Sequence, residues 1–411
     1  MATLTLPVKE QQKVLAQEAL ITGSEAIAVA CKLANVDVVT AYPIRPYDTV
    51  MQYMSQLVAD GELDCEFIVA DSENSQFEIV KHASVCGARV FCGSSGIGWM
   101  YAMEVLTVTP SLRVPMVALV GNRALDDPGA FGVEHNDALA VRDLGWNLVW
   151  VDTAQEALDT ALICYRFAED RRIFVPVAIS CDGAFLTHSQ SLVKLPAAEQ
   201  VKKFLPKYNR GELLVHPDNV ISVAPQCNED WVMEVRRQNY AVTERACDVL
   251  REVYAEFESI FGRKYGNPFF EEYRTEDAEI VLFGMGTLST PAKVTIDKLR
   301  EQGKKVGLVR LRWFRPFAGA EIAKALERFR AIAVLDRDLS LGSPDLSGVV
   351  ATELRSAMYT HANARPPVLD FLCGLGGREV TVPDVEKIVD ITFEAAAGKP
   401  QPLTQWIGLR G

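Results

Sequence analysis

The stretch "VVTAYPIRPYDTVMQ", Val38 to Gln52, decides how the chain is read. It opens on β-branched and small residues with no alternation of polar and apolar positions, as a strand covered on both faces requires. It then turns through two prolines, each of which fixes φ and removes a backbone donor. From Asp48 it resumes with a helical period. Strand, stiff turn and helix make the repeating unit of a parallel sheet with crossover helices. Arg45 stands between the two prolines at the carboxyl end of the strand, where open parallel sheets place their sites.

The same rhythm extends outward from this unit. Between about residues 20 and 185 the candidate strands are "VDVVTAY", "EFIVA", "RVFCG", "VPMVALVG", "NLVWVD" and "RIFVPVAIS". Candidate helices begin near Ser24, Asp48, Ser72, Gly98 and Thr153. This alternation predicts an α/β fold, a doubly wound parallel sheet over residues 15–190. Residues 191–275 break the rhythm and read as a connector over the surface, with one long helix at "ERACDVLREVYAEFESIFG". A smaller α/β domain is expected over 276–400, with strands at "AEIVLFG", "KVGLVRL", "AIAVLD" and "PVLDFL". Its first helix carries Ala292, Ile296 and Leu299 on one stripe.

Composition narrows the function. The chain has 411 residues, 49% of them hydrophobic, enough for two cores, and a formal charge of −12. No basic block stands out, so neither nucleic acid nor an anionic membrane is an expected partner. The amino terminus lacks an apolar leader and no uncharged run is long enough to span a bilayer, which predicts a cytoplasmic protein. Nine scattered cysteines show no CxxC and no Cys/His metal spacing, and read as buried small hydrophobes in a reducing compartment. No metal ligand set is expected in this chain.

Four strand ends carry the polar groups. They are "PIRPYD" with Arg45, "DSENSQ" with Glu73, "GSSGIGW" with Ser94 and Ser95, and "NRALDDPGAFGVEHND" with Arg123, Asp126 and Asp127. The turn "YPIxP", the acid Glu73, the "GSSG" loop and the segment "NR…EHND…RDxGW" together resemble the α subunit of 2-oxoacid:acceptor oxidoreductases, which use thiamine diphosphate. The resemblance covers nearly the whole chain. It implies a thiamine-diphosphate pyrimidine-binding domain followed by a transketolase C-terminal-like domain. Found nowhere here are the GDG and distant Asn that hold Mg²⁺ and diphosphate, or any iron–sulfur spacing. The resemblance therefore implies half of an active site. A β subunit would carry the Mg²⁺ and diphosphate domain, and γ and ferredoxin-like δ subunits the [4Fe-4S] clusters. Coenzyme A would be the co-substrate, with ferredoxin or an NAD(P)H-linked protein as electron acceptor.

Roles follow by position. Glu73 matches the acid that meets N1′ of the aminopyrimidine and favours the tautomer that takes the C2 proton; read from the residues alone, it is equally a helix amino-terminal charge beside Asp71. The resemblance places Pro43, Ile44 and Ser95 against the cofactor. Arg123 matches the arginine that grips the 2-oxoacid carboxylate, for which a planar fork of donors is suited; an ion pair with Asp126 or Glu134 is the structural alternative. Arg45 departs from the common "YPITP" and is similar to oxalate oxidoreductases, where a second cation suits a dianion. The loop "DDPGAFG", with Asp126, resembles the mobile loop of those enzymes, yet a second acid is replaced here by Ala130. Trp99, Tyr101 and Phe131 could instead wall a pocket for an aryl 2-oxoacid. The expected substrate is accordingly phenylglyoxylate, with oxalate and then pyruvate as alternatives, and a non-catalytic assembly subunit as the reading from another class. "FGMGTLS" at 283–289 hints at a dinucleotide turn, but lacks its third glycine and the ribose acid. "RDLGW" reads as structural, and of five histidines only His135 lies in a loaded loop.

Overall fold

The computed structural model describes residues 18–125 and 129–410. In chain order its strands are β1 (Ala19–Thr22), β2 (Val38–Ala41), β3 (Glu66–Val69), β4 (Val90–Ser94), β5 (Met116–Asn122), β6 (Asn147–Val151), β7 (Pro176–Asp182) and β8 (Gln190–Val193). There follow β9 (Phe270–Tyr273), β10 (Ile280–Met285), β11 (Val306–Leu311), β12 (Trp313–Arg315), β13 (Ala331–Asp336), β14 (Val368–Leu372) and β15 (Thr404–Trp406). The upstream sheet runs β12-β6-β7-β5-β4-β2-β3 and is parallel except at β12, which lies antiparallel on β6. The downstream sheet runs β15-β14-β13-β10-β11-β9, antiparallel only at β9. β1 and β8 form a separate antiparallel pair.

All ten strands read from the apolar runs are present. β4 to β7 are buried along their whole length, which explains why those runs show no alternation. Helix starts are set by side-chain caps. Thr22 and Glu25 form a capping box at Gly23–Leu33, Ser72 accepts the amide of Ser75 at Glu73–Val85, and Thr153 that of Glu156 at Ala154–Ala168. The long helix spans Glu229–Phe261, starting well before the apolar pattern near Glu244, and ends at Gly262 in the left-handed region.

The two sheets meet through buried charge. The Arg310 guanidinium, 2% exposed, donates to both oxygens of Glu156 at 2.9 and 2.7 Å and to Glu271 at 2.8 Å. Arg312 reaches the same Glu156 at 3.0 Å. Burial alone would raise the Glu156 pKa, but the two guanidiniums hold it below the usual carboxylate range. Asp152 beside them is pushed up to about 7 by burial and by Glu156.

Candidate active site

Strand order reverses between β2 and β4: the chain leaves β2 toward β3 on one side and β4 toward β5 on the other. Such a reversal opens a crevice at the strands' carboxyl ends, and the turn after β2 lies across it. The Tyr47 amide donates to Ser95 Oγ at 3.2 Å and the Tyr47 hydroxyl to the Thr40 carbonyl at 3.2 Å. Pro46 and Tyr47 are buried, and the Arg45–Pro46 peptide is cis. Ile44 is half-buried and Pro43 exposed. The Arg45 side chain is 78% exposed and lies 3.6 Å from the Asp48 carboxylate. Ser95 thus holds the turn by its hydroxyl.

Glu73 begins the helix that crosses behind this turn, and Gln76 fixes that helix to the sheet. The Gln76 side chain donates to the Gly93 carbonyl at 2.8 Å, and its own carbonyl accepts from Thr40 at 2.9 Å. Glu73 is only 7% exposed, and no hydrogen bond or ion pair joins its carboxylate to a described residue. Its Oε1, Ile44 Cδ1 and Ser94 Oγ all line the space beside Gly98, where a Cβ would collide with each of them. Ser94 Oγ is buried without a partner. A buried hydroxyl left this way costs about 1–3 kcal/mol and calls for an explanation. An acceptor and a hydroxyl at one glycine-lined slot fit an aminopyrimidine, whose N–H donors and ring-nitrogen acceptors complement both.

Arg123 follows β5, 7% exposed, and donates from Nη1 to the Arg45 carbonyl at 3.2 Å. The two arginines therefore share the turn. Its guanidinium stands 5.3 Å from the ring centre of exposed Phe131. Asp126 lies outside the described residues. The backbone is fixed by Asp137, whose fully buried carboxylate accepts from the amides of Gly96 (3.0 Å), Arg123 (2.9 Å) and Ala138 (2.7 Å) and from Asn122 Nδ2 (2.9 Å). One side chain thereby ties the loops after β4 and β5 together. Burial pushes its pKa up to about 6 against the pull of those donors.

The family model for pyruvate flavodoxin/ferredoxin oxidoreductase, thiamine-diphosphate-binding, matches residues 29–255, and that for pyruvate:ferredoxin oxidoreductase core domain II matches 278–385. Pyruvate synthase subunit PorA of Methanocaldococcus jannaschii is 37% identical over 391 residues, 95% of this chain and 98% of that one. Ketoisovalerate oxidoreductase subunit VorA of Pyrococcus horikoshii is 34% identical over 392 residues, 95% of this chain and 98% of that one. This chain belongs to the thiamine-diphosphate-dependent 2-oxoacid:ferredoxin oxidoreductases, as an alpha subunit. Among solved structures, a 2-oxoglutarate:ferredoxin oxidoreductase from Magnetococcus marinus, with 2-oxoglutarate, coenzyme A and succinyl-CoA bound, superposes with a TM-score of 0.66 at 15% identity. The match covers 92% of this chain and 65% of that longer one. A split-gene transketolase gives 0.56 at 10% identity, covering 92% and 99%. Both likenesses are of fold.

In this oxidoreductase subunit a second polar centre joins the two sheets, and the sequence reading missed it. Asp182, at the end of β7, accepts from His135 Nε2 at 2.8 Å, Arg337 Nη1 at 2.8 Å and the Thr287 amide at 2.9 Å. Burial would raise its pKa, but His135 and Arg337 hold it below the carboxylate range. A Cβ at Gly286 would lie 2.9 Å from both Asp182 oxygens. The "FGMGTLS" turn therefore receives a carboxylate of its own chain. The signal available was an aspartate closing an otherwise apolar strand.

Two expectations for the oxidoreductase change. Trp99 is fully buried and packs edge-on against Phe77 and Trp146 at 5.3 and 5.5 Å, so it is core and lines no aryl pocket. Tyr101 is exposed. Cys86 and Cys227 are exposed, not buried, because each sits at the end of a helix or beside one. Among the described residues no group of His, Cys, Asp and Glu is placed to hold a metal ion, and no helix is long and apolar enough to cross a membrane.

Proposed function

We propose that this chain supplies the pyrimidine side of the catalytic centre in an enzyme that converts a small aliphatic 2-oxoacid, pyruvate first, to its acyl-coenzyme A. The balanced reaction takes 2-oxoacid and coenzyme A to acyl-coenzyme A, carbon dioxide and a proton, with two electrons passed to ferredoxin or a like acceptor. Thiamine diphosphate, when bound, supplies the nucleophilic carbon that meets the substrate carbonyl. Glu73, whose Oε1 lies at the Gly98 slot, would be the residue whose carboxylate meets the aminopyrimidine ring nitrogen and could share a proton with it. Pro43 and Ile44 form the apolar wall of that slot, while Ser95 acts through Tyr47 by holding the turn. Arg123 grips the substrate carboxylate, with Phe131 over its guanidinium, and Asp126, three residues on in the sequence, is the further substrate-binding candidate. Mg²⁺ and the diphosphate group belong to a β subunit, and [4Fe-4S] clusters to γ and δ subunits.

The observation that carries this reading is the Glu73 carboxylate, on a residue only 7% exposed, beside the partnerless Ser94 hydroxyl at a slot that only glycine leaves open. Pyruvate replaces phenylglyoxylate because the relatives are named for pyruvate and ketoisovalerate, both aliphatic, and Trp99 is not available to an aryl ring. Oxalate is kept as a second reading on one ground: Arg123, on the loop after β5, braces the turn that carries Arg45. The test is the complex purified with its partners and assayed on pyruvate, ketoisovalerate, phenylglyoxylate and oxalate, as wild type and Glu73→Gln. The variant should assemble normally and lose about a hundredfold to ten-thousandfold in kcat. Activity within about threefold of wild type would reduce Glu73 to a helix-end charge.

A further inference from the structure

The loops at the carboxyl ends of β13 and β14, where an open parallel sheet places its own sites, are here taken up by residues 132–136 of the upstream domain. After β14, the Gly377 amide donates to the Val133 carbonyl at 3.1 Å and the Gly376 amide to Glu134 Oε1 at 2.9 Å. After β13, the Arg337 carbonyl accepts the His135 amide at 2.9 Å, and the Leu339 backbone exchanges bonds with the Asn136 side chain at 2.8 and 2.9 Å. The stretch is held as if it were part of the downstream domain. At Gly132 the two backbones touch: a Cβ there would collide with the Gly376 carbonyl, and one at Gly377 would lie 2.7 Å from Gly132 Cα. Gly374, Gly376 and Gly377 all have left-handed φ, of 72°, 63° and 77°, which a side chain resists.

The other end of this loop belongs to the substrate side. The Gly132 carbonyl accepts the Ala124 amide at 2.8 Å, closing the loop that begins at Arg123, and Phe131 beside Gly132 puts its ring 5.3 Å from the Arg123 guanidinium. Arg123 is anchored upstream, through Asp137, while Phe131 is anchored downstream, through Gly132. The pair therefore spans both domains. We propose that the glycine loop after β14 positions the substrate site: by clamping Gly132 and Glu134 it sets Phe131 against Arg123, and with it the grip on the 2-oxoacid carboxylate. The proposal rests on Arg123 being the residue that binds that carboxylate. Glu134 and Gly377 act through the loop as positioning residues. Misplacing a substrate-holding group by about 1 Å can cost on the order of a hundredfold, so a clamp on the backbone is felt in binding.

The experiment uses the complex assembled with its partners and the 2-oxoacid that it turns over best. Gly376→Ala and Gly377→Ala impose the same left-handed backbone on alanine, but at 376 nothing lies within 4 Å of the added Cβ, whereas at 377 it meets the loop. Melting temperatures of the two should fall alike. Gly377→Ala should raise KM about tenfold with kcat within about threefold, and speed hydrogen exchange at the Ala124 amide; Gly376→Ala should leave all three within about twofold. Glu134→Ala should raise KM about threefold or more, and Glu134→Gln, which keeps an acceptor for the Gly376 amide, should restore it; this pair decides if alanine at 377 prevents folding. Equal KM for the two glycine variants, or a Glu134→Gln enzyme no better than Glu134→Ala, overturns the proposal. So does a wild-type KM in Gly377→Ala while Arg123→Lys raises it, a result that leaves the carboxylate-binding role of Arg123 standing. An Arg123→Lys enzyme with wild-type KM removes that role and the proposal with it, even where Ala124 exchanges faster.

Discussion

At the scale of single residues, Arg45 and Arg123 separate by what they hold. Arg123 is buried and its guanidinium braces the turn through the Arg45 carbonyl, whereas the Arg45 side chain reaches into solvent beside Asp48. Replacing Arg123 by Lys should raise KM for every 2-oxoacid and loosen the turn, since an ammonium cannot reproduce a fork of donors; the lost charge-assisted bonds are worth roughly 1.5–3 kcal/mol. Arg45→Thr should leave folding intact and change kcat/KM on pyruvate by less than about threefold, with the larger loss on oxalate. Equal losses on both would make Arg45 architectural. These residues were legible in the sequence because they end strands, where an apolar run stops at a charged side chain. Asp137 was not, although it stood in the quoted "EHND": an aspartate in a polar loop carries no mark that its carboxylate will be buried under four donors.

At the scale of elements, the loops after β4 and β5 behave as one piece. Asp137 joins them, and neither loop has another buried anion to take its place among the bonds described. Asp137→Ala should lower stability by roughly 2–4 kcal/mol, the cost of leaving buried amides unpaired. The same variant should raise KM more than it lowers kcat, because Arg123 loses its backbone anchor while Glu73, on another helix, does not. Thermal melts and steady-state kinetics on the complex check the two halves of this statement. The long apolar strands were readable from period and length alone. β12 was not, because three residues give no period and its partner β6 lies more than 150 positions upstream. Nor was the true start of the long helix, since its first turns bury nothing.

At the scale of the whole molecule, buried charge sets the response to pH. Asp336, Asp338 and Asp370 are fully buried near the amino terminus of the helix Val349–His361, where they accept the amides of Ala351, Val349 and Gly348. Burial raises all three, with neighbouring carboxylates adding to the rise for Asp336 and Asp370, and Asp370 moves from the ordinary 3.8 to about 6. A carboxyl that holds its proton more tightly when folded contributes stability below its unfolded pKa and loses it as pH rises through the folded value. Melting temperature should therefore fall between about pH 4 and pH 6 from this group. Asp370→Asn, which keeps an acceptor for Gly348 without a charge, should flatten that slope and melt higher than wild type at pH 8. An unchanged slope would place the titration elsewhere.

The strand β12 closes the upstream sheet with residues that the ribosome delivers late. Trp313 pairs with Val149, buries its ring edge-on to Phe167 at 5.4 Å, and donates its indole N–H to the Tyr254 hydroxyl at 3.0 Å. When β7 has emerged, β6 still has one side without a neighbour, and the chain between Asp182 and Trp313 takes on the order of ten seconds to follow. For that interval the nascent sheet presents a row of unpaired amides and carbonyls flanked by buried-type side chains, the surface on which strands from other nascent chains pair wrongly. A message cut short between codons 182 and 313 would make that interval permanent.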